Sequence, residues 1–134
     1  MTKLVYKIIC LFLSFSIFSC SIALASTIMP CADTEFLSTT VLLKSTKQVS
    51  FRATTYNEKD KISVTACWLE KENADGSWST ICALPTPSSY ASENVTLSTT
   101  ANYSAYIGTG NFRIRATFDA DGHTLTVASN ERSF

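Results

Sequence analysis

Beyond residue 35 the chain alternates apolar and polar side chains again and again, and no segment past residue 25 sustains a helical period. Alternation with a period of two belongs to strands that bury one face. Residues 36–43, 47–56, 61–71, 77–84, 94–100, 111–118 and 123–130 read as strands on this basis. In the run 111–118, Phe112, Ile114, Ala116 and Phe118 share one face, with Arg113, Arg115 and Thr117 opposite. In the run 61–71, Ile62, Val64, Ala66 and Trp68 share the apolar face. Pro85-Thr86-Pro87-Ser88-Ser89 is a loop, because proline cannot donate to a ladder. About seven short strands with half-apolar faces imply an all-β fold of two sheets packed face to face.

Two turns share a pattern, Asn73-Ala74-Asp75-Gly76 and Asp119-Ala120-Asp121-Gly122. Asn or Asp first and Gly fourth suits a type I turn closed by a left-handed glycine. Read as a four-residue loop, the second turn pairs Phe118 with His123, Ala116 with Leu125 and Ile114 with Val127, which keeps the apolar side chains on one face. The same reading of the first turn closes on Glu72 and Ser77. It sets Lys71 opposite Trp78, Trp68 opposite Ile81 and Ala66 opposite Ala83, with Trp78 on the face away from Trp68. It also sets Cys67 opposite Cys82 in a non-hydrogen-bonded pair, where Cα atoms approach to about 4.5 Å. The expectation is a Cys67–Cys82 disulfide closing about 15 residues, with a model entropic contribution of about 3 kcal/mol. The alternatives are buried thiols, or a bond from Cys31 to one of the pair; if Cys67 and Cys82 are joined, Cys31 is left free or intermolecular.

Residues 1–25 carry an address. Lys3 and Lys7 precede an uncharged, mostly apolar stretch, and Ala23-Leu24-Ala25 is a small-x-small cleavage site. The expected product starts at Ser26, with residues 26–35 as an N-terminal extension and residues 36–134 as the sandwich domain. Retained, the uncharged stretch of about 18 residues is near the minimum for a membrane anchor. Ile17-Phe18-Ser19-Cys20 offers a third reading, a lipidated Cys20, against which the bulky Phe18 counts. No sorting motif follows the last strand, which favours release over wall attachment.

The chain has 134 residues with 11 basic and 11 acidic side chains; losing Lys3 and Lys7 leaves nine against eleven, a net charge of −2. Such a balance argues against nucleic acid as a partner. One histidine, His123, excludes any site that needs two, and no Cys-x-x-Cys occurs. The opening Asp119-Ala120-Asp121-Gly122 resembles that of a calcium loop, but its twelfth position is Asn130 where glutamate is required, so a hairpin turn is the better reading. As a base, His123 would need a nucleophile and an orienting acid such as Asp119 or Asp121, and no Gly-x-Ser-x-Gly elbow exists. Glu70 and Glu72 have a spacing that permits paired-carboxylate chemistry, but acid pairs are commonplace on solvated faces. Metal, cofactor and catalytic residues are therefore all expected to be absent. Trp78, Arg113 and Arg115 are the candidate ligand contacts: an indole platform with Leu69 and Tyr56 nearby, and two guanidinium groups on one strand face. Tyr90, Tyr103 and Tyr106 lie in or beside loops, where recognition residues often sit. Asn94-Val95-Thr96 and Asn102-Tyr103-Ser104 match the glycosylation sequon.

Gly108-Thr109-Gly110-Asn111-Phe112-Arg113-Ile114-Arg115, followed by Ala116-Thr117-Phe118, resembles the penultimate strand of fibronectin-type-III and immunoglobulin-like modules. The stretch from Cys67-Trp68-Leu69-Glu70-Lys71 to Asn73-Ala74-Asp75-Gly76-Ser77-Trp78 resembles their central hairpin with its core tryptophan. With its leader, the whole is similar to small secreted β-sandwich proteins of Gram-positive bacteria that form domains of unknown function. The resemblance implies an all-β, immunoglobulin-like two-sheet β-sandwich of about seven antiparallel strands and an extracellular location, and transfers no active site; the immunoglobulin cysteine pair across the sheets is unmatched. The resulting expectation is a secreted, non-enzymatic binding or interaction module. Its partner would be an extracellular protein or glycan, with no membrane contact after cleavage. A secreted bacteriocin- or toxin-like effector is the alternative.

Overall fold

The computed structural model describes residues 33–134. The expected leader, the Ser26 start, Cys20 and Cys31 lie outside the described residues. Eight strands follow in order: β1 (Phe36–Leu43), β2 (Gln48–Lys59), β3 (Ile62–Glu72), β4 (Trp78–Leu84), β5 (Asn94–Asn102), β6 (Asn111–Ala120), β7 (His123–Ala128) and β8 (Arg132–Ser133). One antiparallel sheet has the order β1-β2-β5, the other β4-β3-β6-β7, with the short β8 pairing with β6. The two pack face to face as a β-sandwich. In the constant-type immunoglobulin arrangement the fourth strand joins the sheet of the first, second and fifth. Here it pairs with the third instead, which leaves three strands in the first sheet against five, β8 included, in the second.

The interior is built by alternation. β6 buries Phe112, Ile114, Ala116, Phe118 and Ala120, while β2 buries Val49, Phe51 and Ala53. The connection between β5 and β6 adds Tyr103, the largest fully buried side chain. Its hydroxyl donates to the Pro85 carbonyl at 2.8 Å, so burial leaves no orphaned polar group. Tyr103 is thus a core residue and not part of a recognition loop, whereas Tyr90 and Tyr106 are exposed.

Strict alternation fails in β3. Val64 pairs with Phe118 and Ala66 with Thr117, so Thr65 is an extra residue. The bulge reverses which parity faces inward. Ile62 and Val64 point to the core before it; Cys67 and Leu69 do so after it. The expected apolar face of Ile62, Val64, Ala66 and Trp68 is therefore split, and Trp68 lies on the outer face, half-buried, instead of in the core.

Both hairpin registers differ from expectation. In the first turn Gly76 (φ 80°) donates to the Asn73 carbonyl at 3.0 Å and Asn73 to the Ser77 carbonyl at 2.8 Å. This is a type I turn with its left-handed glycine. Asp75 accepts from the Ser77 amide and hydroxyl, drawing Ser77 into the loop. Glu72 consequently pairs with Trp78, not with Ser77. A second extra residue, Ile81, shifts β4 again, so that Leu69 faces Cys82 and Cys67 faces Leu84.

The predicted Cys67–Cys82 disulfide is absent: among the described residues both are free thiols. They share the core side but stand two register positions apart, a diagonal of about 7–8 Å between Cα atoms. A disulfide needs about 4.4–6.8 Å. Burial pushes the Cys67 thiol up to about 11, against a smaller opposing effect of its hydrogen bond with Tyr103.

The second hairpin turns on two residues, Asp121 (φ 54°) and Gly122 (φ 89°), a type I′ turn whose twist matches the strands. Ala120 pairs with His123, Phe118 with Leu125 and Ala116 with Val127. The shift from the expected register is two residues, so the faces are the ones expected. Asp121 Oδ1 accepts from the Lys61 amide at 2.8 Å and Oδ2 from the Asp60 amide at 3.1 Å, which ties this turn to the β2–β3 turn.

In dilute folded protein, iodoacetamide is expected to label half-buried Cys82 and to spare Cys67 until urea unfolds the chain. Peptide mapping by mass spectrometry checks this. A Cys67–Cys82 disulfide, or equal native labelling of both, would contradict the register.

Candidate functional site: the outer face of the larger sheet

The bulge at Thr65 sends Trp68, Glu70 and Glu72 to the outer face, where β6 supplies Asn111, Arg113 and Arg115. Glu70 pairs with Arg113 and Trp68 with Arg115 across β3 and β6. On the other side of β3, Trp78 pairs with Glu72. The three predicted contacts, Trp78, Arg113 and Arg115, are therefore brought together on one face, together with a second indole and a carboxylate.

Their geometry is an interleaved stack. The Arg113 guanidinium lies 4.4 Å from the Trp78 ring centroid, and that of Arg115 lies 4.8 Å from the Trp68 centroid. Both distances suit cation–π contact, worth about 0.5–1 kcal/mol each at exposed sites. Glu70 sits between the two arginines. Its Oε2 accepts from Arg113 Nε at 2.7 Å, and its Oε1 stands 2.9 Å from Arg115 Nε, close in charge but not aligned as a hydrogen bond. The Glu70 side chain is only 8% exposed, against 27% for Arg113 and 41% for Arg115. The carboxylate is thus shielded beneath the cations, and the guanidinium planes are held by ring and carboxylate together. One step along, Asn111 Nδ2 donates to Glu72 Oε2 at 2.6 Å.

Some expected members are elsewhere. Trp78 does not face Lys71, and Leu69 is buried beneath the sheet and cannot extend a platform. Tyr56 is exposed but belongs to β2 in the other sheet. Lys71 instead holds its ammonium 5.6 Å from the Phe112 ring centroid. Glu70 and Trp68 were missed as site members. The signal was present in the Trp-x-Glu and Arg-x-Arg spacings, but it becomes readable only in the bulged register.

The remaining candidates are engaged in holding the fold. His123 Nε2 is 2.9 Å from Asp33 Oδ2, not beside Asp119 or Asp121. Asp33 Oδ1 accepts from the Glu35 and Phe36 amides at 2.8 and 3.2 Å. The His123 hydrogen bond, followed by the Glu35 amide, holds the Asp33 carboxyl below the usual carboxylate range. His123 thereby fastens the start of β1 to the first residue of β7. Asp119 Oδ1 accepts from the Gly122 amide at 3.3 Å, and Asp121 is taken by backbone amides as described above. Among the described residues no group of three metal-ligating side chains comes together. Asn94 and Asn102, the sequon asparagines, use their Oδ1 atoms to accept from the Thr96 and Ser104 amides at 3.0 and 2.9 Å.

The outer face offers binding chemistry: planar cations and indole edges held in fixed positions, able to stack and to donate hydrogen bonds. Glu70→Gln keeps the shape but removes the charge that both arginines share. It is expected to cost about 2 kcal/mol in urea unfolding; a cost below about 0.5 kcal/mol would mark the pairs as ordinary surface ones. No protein-family model, curated protein or solved structure matches this chain.

Proposed function

We propose that the protein is a secreted, non-enzymatic binding module that contacts an extracellular ligand through the outer face of β4-β3-β6-β7. The observation that carries this reading is the stack of Trp78, Arg113, Glu70, Arg115 and Trp68. Ordering long arginine side chains costs conformational entropy, which raises the cost of an adaptable surface. On this face much of that cost is met within the monomer, because the rings and Glu70 fix the guanidinium planes before any ligand arrives. Arginine and tryptophan are also the side chains most often found to dominate binding energy when they are clustered and partly shielded. The ligand that fits is one with a flat apolar surface and hydrogen-bond acceptors along its edge, as a sugar ring presents.

A glycan array of neutral and uronate-bearing oligosaccharides, probed with the exported protein, tests the reading. Binding is expected, and Trp78→Ala is expected to weaken it at least about tenfold, the equivalent of 1.4 kcal/mol. No binding, or binding indifferent to Trp78→Ala, would sink the sugar-platform reading.

A further inference from the structure

The three-stranded sheet has two edges, β1 and β5, and they are finished differently. An edge strand presents alternate N–H and C=O groups with no partner in its own sheet. At β1 the last of these are closed. Asn130 Oδ1 accepts from the Leu43 amide at 2.8 Å, and its Nδ2 donates to the Leu43 carbonyl at 3.1 Å. Arg132 Nε donates to the same carbonyl at 3.1 Å. A side-chain amide thus acts there as one more peptide group.

Among the described residues, β5 has no such cover. The Tyr103 amide donates to the Lys47 carbonyl at 3.1 Å, which continues the β2–β5 register. It fixes Leu97, Thr99 and Ala101 as the residues that bond to β2, by the alternation of antiparallel ladders. Thr96, Ser98, Thr100 and Asn102 therefore point their backbone groups outward. Asn94 caps the Thr96 amide, but those of Ser98 and Thr100 have no partner among the described residues. The register runs unbroken from Thr96 to Asn102, and β5 contains neither a charge nor a proline, two common devices for blunting an edge. The 85–93 segment does not cover it, since Ala91 pairs with Ile62 on β3.

Among the described residues, the place beside this edge is also open in depth. β1 lies across β6 and β7, β2 across β6 and β3, and β5 across β3. A strand added to β5 would come to lie across β4, where Cys82 faces the core side yet stays half-exposed. In the constant-type immunoglobulin sandwich the chain's own fourth strand fills this position.

We infer that a second copy of this chain fills it, β5 pairing antiparallel with the partner's β5 about a two-fold axis. Centred on Thr99, the pairing sets Ser98 opposite Thr100, Thr96 opposite Asn102 and Leu97 opposite Ala101 of the other copy, outer with outer and inner with inner. Because the strand is uncharged, self-pairing places no like charges opposite one another. The result is a closed dimer with a continuous six-stranded sheet, no further open edge at β5, and the Trp–Arg faces of both copies left uncovered.

Sedimentation velocity on the exported protein, from about 1 µM to about 1 mM, tests the inference. A concentration-dependent dimer is expected, together with slower alkylation of Cys82 as the dimer fills. Ser98→Pro removes only an outward-facing donor, a change that edge strands tolerate. It is expected to weaken dimerisation at least about 100-fold with the urea midpoint nearly unchanged. Ser98→Lys keeps every backbone donor and brings two cations together near the axis; it must weaken the dimer as well. A monomeric wild-type protein at every concentration, a monomer that captures an extended peptide at β5 instead, or a dimer indifferent to both substitutions would overturn the inference.

Discussion

Thr65 is a single extra residue in β3, and the two faces of the second sheet depend on it. Without it, the parity that starts at Ile62 would run on through Trp68 to Glu70 and turn a carboxylate toward the hydrocarbon interior. Burying an unpaired charge there would cost several kcal/mol. With it, Cys67 and Leu69 fill the interior, and Glu70 emerges on the opposite face between two arginines. A local irregularity in one ladder thus separates an apolar core from an ionic and aromatic surface, and both are continuous across β3 and β6.

The surface so formed is organised by competition for Glu70. Two guanidinium groups share one carboxylate, and each also lies against an indole ring. A purely ionic pair on a sheet face is worth little, because water screens it and long side chains resist being ordered. The rings change the balance: they fix the planes of the cations, and the cations in turn lie over the shielded carboxylate. The core tryptophan expected from the resemblance to immunoglobulin-like hairpins is not found. Trp68 stands on the expected strand, but on its other side.

Much of the fold was legible. Seven of the eight strands follow from period-two alternation, and the face shared by Phe112, Ile114, Ala116 and Phe118 is the one found. That face was readable because β6 carries no bulge. β3 and β4 each hold one, and a bulge leaves no mark in a pattern of apolar and polar letters: Thr65 moved Trp68 out of the expected core face, while Ile81, together with Ser77 drawn into the turn, undid the inferred Cys67–Cys82 pairing. The Asp121-Gly122 turn was misread by two residues at no cost to the faces, since only odd shifts exchange them. Trp78, Arg113 and Arg115 were legible as outward residues. Glu70 as their common partner was not, because strand-to-strand register decides it. β8 is too short to show any period, and Tyr103 gave no signal of burial because its partner, the Pro85 carbonyl, lies 18 residues away.

The bulge and its consequence can be examined together through one chromophore. In a Trp78→Phe variant, Trp68 is the sole indole. On the outer face beneath Arg115, its native emission should sit between those of buried and free tryptophan, and acrylamide should quench it in the folded state. Arg115→Ala should raise that quenching further. A blue-shifted Trp68 that acrylamide reaches only after unfolding would place the ring in the core, and with it would fall the bulge, the stack and the binding face proposed from them.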